Sequence, residues 1–494
     1  MAVIASLPAA KSRFGVSLPL LVALAAFVTV LANASGLLGD PDTYWHIVVG
    51  RWILTHHAVP HINFLSYSLP GAPWVPHEWL AETVFGAVYD WLSWNGLVLV
   101  TALSLAGTLA ILTRALLHWL EPVHALAAAM AAWGLVLAHV LARPHILTLP
   151  IMVLWFTALV EARERDRAPP LWVAALMTPW ANLHGGYVLG LAFAALFAGE
   201  ALLMAPNRAA RIAVVKRWGA FGVLSLAAAL LTPNGLAGLW LPFHLLNMKF
   251  ALSVLVEWQS PDFQTIQPLE IWLMVGLALA LGFGVKLPPT RIAMLLLLVH
   301  MSLAHRRHAD VLALVAPLIL APAVGEFIRK RSHRRHAAAL DSAFTELAGG
   351  ASLRGAAIVG LIVVALAALF VQQPLVRKPD PYTPAAALKF AGAHDLIGPV
   401  FNEYGFGGYL IFNGIKPFID GRAEMYGDDF VKRYVEATRG VTDELPAMLD
   451  QYHVTWTLFA VKSPAATLMD HLAGWKRVYA DNTAIIHVRT DSGR

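Results

Sequence analysis

The sequence has no cysteine and, for 494 residues, very little charge. The first absence excludes a disulfide scaffold. The second excludes more: 14% of the residues are charged and 58% are hydrophobic, whereas a soluble globular chain carries about 25% and about 45–50%. That balance rules out an ordinary cytosolic enzyme and a disordered chain. Also missing are internal repeats with a period of roughly 20–50 residues and any low-complexity segment. What is left is a polytopic membrane protein. The net charge of +5 would admit a nucleic-acid partner, but a basic total says nothing until the charges are located.

The charges are unevenly spread. Residues 1–372 hold 23 Lys/Arg and 17 Asp/Glu, and residues 373–494 hold 13 and 14. These are about 11% and about 22% charged, and only the second is the proportion of a globular domain. A boundary near Gln372 therefore separates a transmembrane domain, 1–372, from a C-terminal domain, 373–494. Apolar stretches long enough to cross a bilayer, ~20 residues each, are expected at about 15–38, 95–117, 122–141, 146–162, 170–185, 187–205, 218–232, 269–285, 291–305, 309–327 and 353–371. Short loops rich in Lys and Arg stay cytoplasmic. An inner N-terminus puts 18 basic residues of the first 372 inside, Lys11, Arg13, Arg163, Arg291 and the Arg329–Arg335 run among them, and leaves Arg51, Arg143, Lys249, Arg306 and Arg307 outside. The basic string FIRKRSHRRH is then a topological anchor and not a nucleic-acid patch, and eleven spans send the C-terminal domain to the outer side. Ala32-Asn33-Ala34 after the first apolar stretch resembles a signal-peptide cleavage site, but the stretch is long for one and is read as a retained helix.

The first outer segment, 39–94, begins GDPDTYWHIVVGRWIL. Trp45, Val48, Val49, Trp52 and Ile53, with His46 and Arg51 between them, predict an amphipathic helix lying in the interface. A second such helix is expected to start near His77. Asp40 and Asp42 follow the first span at the membrane–water boundary. Two carboxylates one residue apart, with His46 a turn later, suit a general base or half of a metal site. They equally suit a helix cap.

Further polar residues fall at the outer ends of later spans: Arg143 and His145, Asn182 and His184 before two glycines, Glu257, and Arg306, Arg307 and His308. Charge near hydrocarbon is costly and by default faces a cavity or a partner, so the gathering predicts a polar cavity opening outward. Arg143, Arg306 and Arg307 would be its cations, suited to bidentate phosphate binding. Asp40, Asp42, Glu78 and Glu257 would be its carboxylates. Interfacial snorkelling is the alternative for each arginine.

The acidic pair after the first span, the helices of the first outer loop and the outer C-terminal domain resemble the GT-C superfamily of membrane glycosyltransferases. The strings GDPDTYWHIVVGRWIL, PHEWLAE, WANLHGGY, VEWQSPDF, YGFGGYLIF and FIDGRAEMYG look like those of a bacterial group within it, over nearly the whole chain. The resemblance implies transfer of a sugar from a polyprenyl-phosphate-linked donor to an outer-face acceptor, usually with inversion. It assigns the catalytic carboxylate to Asp40 or Asp42. Arg143, His145, Arg306, Arg307 and His308 would lie toward the lipid phosphate, with His46, His77, Glu78, Asn182, His184 and Glu257 as further substrate-binding residues. Some relatives use a divalent metal ion; here Asp40, Asp42, His46 and Glu78 are the residues that could hold one.

In the C-terminal domain a helix is expected at Pro384–His394, strands at Pro399–Glu403, Lys416–Asp420, Thr455–Val461 and Ala484–Val488, and helices near 427–438 and 463–474. Gly405-Phe406-Gly407-Gly408 lacks the spacing of a phosphate loop and reads as a tight turn. Asp420-Gly421-Arg422, with Glu424 and Tyr426, either contacts an acceptor or is an Asp–Gly turn with a local ion pair. The sequence thus predicts a mainly α, polytopic GT-C-like fold with about eleven spans and a small C-terminal α/β periplasmic domain, in a bacterial inner membrane. Its expected partners are a lipid-linked sugar donor, a glycan, lipid or protein acceptor, and membrane lipids, with no nucleic acid. A transporter or flippase for lipid-linked glycans, or a non-catalytic partner in envelope polysaccharide assembly, are the alternatives.

Overall fold

The computed structural model describes residues 12–331, 339–378 and 380–490. Lys11 and the Ser332–His336 part of the basic run lie outside the described residues. The fold is mainly helical, with one small mixed sheet near the C-terminus. By contacts the chain divides into two compact units: residues up to 34, 97–232 and 256–374 form the first, and 35–96, 233–255 and 375–494 the second.

Each of the eleven apolar stretches contains helix. Among the described residues six helices are long and apolar enough to cross a membrane: Trp79–Leu117, Pro144–Glu164, Tyr187–Met204, Arg208–Ala229, Arg306–Arg331 and Leu353–Val371. Four shorter apolar helices are Leu18–Ala32, Pro122–Leu137, Pro268–Phe283 and Pro289–Ala304. The stretch 170–185 is the exception, a 3-10 turn at Leu171–Leu176 followed by a helix at Met177–Leu183. With this composition the chain is a membrane protein. Leu353–Val371 has only 11% of its apolar window buried in protein, the surface expected of a helix solvated by lipid.

In the first unit Ala309–Arg331 packs on Pro122–Leu137, where Ala125, Ala129 and Ala132 are fully buried. Small residues at that spacing let two backbones approach closely, which is how helices associate in lipid. Two of the basic residues counted toward the orientation are buried in protein. Arg163 and Arg291 are buried on either side of Glu200, at 3.2 and 3.4 Å, and Arg291 also meets Glu164 at 2.5 Å. Glu200 is 1% exposed, so its removal leaves two guanidinium groups short of a counter-charge. Glu200→Ala is expected to cost about 3–5 kcal/mol, read as a lower unfolding temperature in detergent; an unchanged transition would show the network to be slack.

The second unit is built from three distant stretches of chain. Its sheet runs β1 (Val400–Asn402), β2 (Trp456–Ala460), β4 (Ala484–Arg489), β3 (Trp475–Ala480), with β1 and β2 parallel and the other pairs antiparallel. The helix Asp42–His56 belongs to this unit. It was expected to lie on a lipid surface, but Trp45, Val49 and Ile53 are buried in one core with Phe401, Phe418, Ile419 and Ile485. Protein, not lipid, covers that apolar stripe. The helix starting at Trp79 runs on to Leu117 through a break at Ser93, whose φ is 52°. Residues 233–255 join the same core through Met248 and Ala251, and Asp428 caps the short helix Lys249–Val254 by accepting from the N–H groups of Phe250 and Ala251.

Two expectations for the C-terminal segment fail. Lys416–Asp420 forms only an isolated bridge, Pro417 to Val400, because the Asn402 side chain takes its backbone groups. Asn402 Oδ1 accepts from Phe418 N at 2.8 Å, and Nδ2 donates to Ile419 O at 2.9 Å. Gly405–Gly408 is not a tight turn but a 3-10 turn, Tyr404–Phe406, leading into the helix Gly407–Phe412.

Candidate functional site

In the second unit the two aspartates of the first motif have different surroundings. Asp40 is fully buried. Its Oδ1 accepts from the backbone N–H of Asp42 at 3.0 Å, and its carbonyl accepts from Arg377 Nη1 at 2.9 Å. Asp42 is half-buried at the first position of its helix, where the peptide dipoles favour negative charge. Its Oδ1 accepts from Trp45 Nε1 at 3.1 Å. Gly421 comes so close that a Cβ there would overlap the Asp42 carboxylate. The Asp–Gly–Arg turn of the C-terminal segment is therefore a wall of the Asp42 site.

One turn on, His46 is buried between two carboxylates, with Nδ1 3.3 Å from Glu82 and Nε2 3.7 Å from Glu78. His77 Nε2 is 3.7 Å from the other oxygen of Glu78. The two helices touch at Gly50 and Gly86, four residues beyond His46 and Glu82, and a Cβ on either glycine would strike the facing backbone. That close crossing is what brings imidazole and carboxylate together. Glu82 was missed from the sequence; its signal was a carboxylate one helical turn after Glu78, inside an apolar helix.

Behind this pair Asp420 and Arg422 form a fully buried ion pair at 2.7 Å. Arg422 also donates to Asn63 at 3.1 Å and lies 4.8 Å from the Trp74 ring centroid. Burial works against the Arg422 charge, but the adjacent Asp420 carboxylate more than offsets it and holds the guanidinium protonated. Tyr426 donates to Asp420 at 2.8 Å, and burial, reinforced by that carboxylate, raises its phenol well above the ordinary range. Burial also raises the Glu424 carboxyl, against the pull of His77 and Arg422.

The first unit holds the other expected residues. Arg143 pairs with Glu257, and Arg307 reaches the second oxygen of Glu257 at 3.1 Å. Arg307 also lies 3.5 Å from His184 Nε2 and 4.5 Å from the Trp258 ring centroid. His184 ends the helix Met177–Leu183, and its Nδ1 accepts from Gly186 N. His145 sits 5.9 Å from the His184 ring and 3.7 Å from Asp310. Asn182 is a fastener, donating to Thr178 O and Leu231 O. Arg306 joins no ion pair among the described residues; its backbone donates to Gln259 O. His308 faces the Trp258 and His305 rings. Arg143, His184, Glu257 and Arg307 are thus one connected set, with His145 beside it.

Asp40 is turned to the helix start and His46 to the glutamates. Among the described residues no group of three or more His, Asp or Glu side chains is placed to hold a metal ion.

The structure is similar to that of the oligosaccharyltransferase of Archaeoglobus fulgidus in the apo form, with a TM-score of 0.48, 10% identity, and 89% of this chain and 70% of that chain covered. The same enzyme tethered with an acceptor peptide containing the NVT sequon matches with a TM-score of 0.47, 10% identity, and 89% and 69% covered. ArnT from Cupriavidus metallidurans, bound to undecaprenyl phosphate, matches with a TM-score of 0.39, 12% identity, and 96% and 98% covered. No family model matches the chain, and no curated protein does.

Proposed function

We propose that the chain is an integral-membrane glycosyltransferase that moves a sugar, with inversion, from a polyprenyl-phosphate-linked donor to an outer-face acceptor. The observation that carries this reading is the inequality of the two aspartates. Asp40 is buried and bonded to the helix start, whereas Asp42 is half-buried, oriented by Trp45 Nε1 and backed by Gly421. A carboxylate so held suits the general base. It takes the acceptor hydroxyl proton as that oxygen attacks the anomeric carbon, and the bond from that carbon to the phosphate oxygen breaks with the electron pair leaving on phosphate. Arg143 and Arg307 are assigned by their chemistry to the lipid phosphate, since paired guanidinium groups stabilise a departing anion.

The test is to compare glycolipids and surface polysaccharides by mass spectrometry in a deletion strain, complemented by the wild-type gene or by Asp42→Asn. One glycan is expected to vanish on deletion and to return only with the wild type. A glycan profile indifferent to deletion would sink the proposal. The arginines make a separate prediction: Arg143→Ala and Arg307→Ala should each weaken undecaprenyl phosphate binding by roughly 10-fold or more, the value of a charge-assisted hydrogen bond. Titration of the purified protein measures this, and unchanged affinity would remove the arginines from the phosphate role.

A further inference from the structure

The second unit contains a cavity of about 380 Å³ to which no role has been given so far. Glu403 and Tyr404, which follow β1, line it together with Lys462 and Ser463, which follow β2. These are the two parallel strands of the sheet. The volume lies within the range of small-molecule sites, about 300–1,000 Å³.

The lining is chemically specific. The Glu403 backbone is fixed by donation to Leu458 O at 2.8 Å, and its Oε2 is buried with no hydrogen-bond partner. Burial raises this carboxyl, with Ser463, the Ala460 backbone and Arg439 pulling the other way. Arg439 and Lys462 stand exposed at the rim, and neither joins an ion pair among the described residues. Val431 and Val435 give an apolar wall. Tyr404 belongs both to this cavity and to the surroundings of Asp42: burial, then the Asp42 charge, raises its phenol well above the ordinary range. A hydroxyl-accepting carboxylate, an apolar wall and two rim cations together describe a ligand that is polyhydroxylated, has an apolar face and carries negative charge.

We propose that this cavity binds an acidic sugar of the acceptor, its anionic group at Arg439 and Lys462 and its hydroxyls at Glu403 and Ser463. Only the word acceptor rests on the glycosyltransferase reading; the binding itself does not.

The experiment is calorimetric titration of the purified full-length protein in detergent with glucuronate, glucose 6-phosphate, glucose and inorganic phosphate. Glucuronate or glucose 6-phosphate should bind saturably, and glucose and phosphate about ten-fold more weakly or less well still. The two acidic sugars distinguish a carboxylate from a phosphate as the anionic group. The exposed pair Arg439→Ala/Lys462→Ala should weaken the acidic sugar about ten-fold, Glu403→Gln should weaken all sugars, and Asp42→Asn should leave binding intact. Phosphate binding as well as the sugars would mean a simple anion site and overturn the proposal. So would equal binding of glucose, wild-type affinity in the rim variant, or no binding to protein that unfolds normally. Acidic-sugar binding in a protein without transfer activity would sink the enzyme reading and leave this inference standing.

Discussion

Asn in place of Asp42 is expected to lower sugar transfer by about 10²–10⁴-fold, the contribution of a positioned general base, while the protein still folds. Asn keeps the oxygen that accepts from Trp45 Nε1 but cannot take a proton. Substitution at Asp40 should behave in the opposite way. Asp40→Asn retains an acceptor for the Asp42 N–H and should leave turnover within a small factor of wild type, whereas Asp40→Ala loses that bond and about 1 kcal/mol of stability. Rate measurements beside thermal unfolding separate the two roles. If Asp40→Asn abolished turnover and Asp42→Asn did not, the assignment of the base would be reversed.

A large stability effect is also expected at Arg422. Arg422→Met leaves Asp420 fully buried and without its guanidinium partner, a change that costs about 3–5 kcal/mol. Adding Asp420→Asn removes the stranded charge and should recover much of the loss, because a buried pair contributes little net stability when both partners go. Thermal unfolding in detergent decides between this and a solvated pair. A solvated pair would lose no more than about 1 kcal/mol in the single variant and gain nothing from the second change.

Hydropathy made the apolar helices legible because a membrane span needs only length and an apolar surface, both local properties. What covers an apolar stripe is not local. Trp45, Val49 and Ile53 read equally well as facing lipid or protein, and the residues that settle it, Phe401, Phe418 and Ile419, lie far along the chain. Lys416–Asp420 has the pattern of a strand, but one side chain, Asn402, satisfies the backbone groups that a neighbouring strand would otherwise bond. Trp475–Ala480 was missed because the register shifts between Arg477 and Tyr479, which breaks the two-residue alternation. In the candidate site Asp42, His46 and Glu78 could be chosen by type and position. Glu82 offered only its spacing one turn after Glu78, because its pairing with His46 depends on a helix crossing at Gly50 and Gly86.

The three-part construction of the second unit has a consequence for biosynthesis. The helix bearing Asp42 leaves the ribosome well before the segment that supplies Gly421 and the Phe401–Phe418 core. At ~5–20 residues per second, that helix waits on the order of tens of seconds with its apolar stripe uncovered. A transcript cut short before the C-terminal segment would therefore yield an inserted bundle whose Asp42 helix lacks its partner surface and is open to proteolysis. The surroundings of Asp42 are complete only once that later segment has been made.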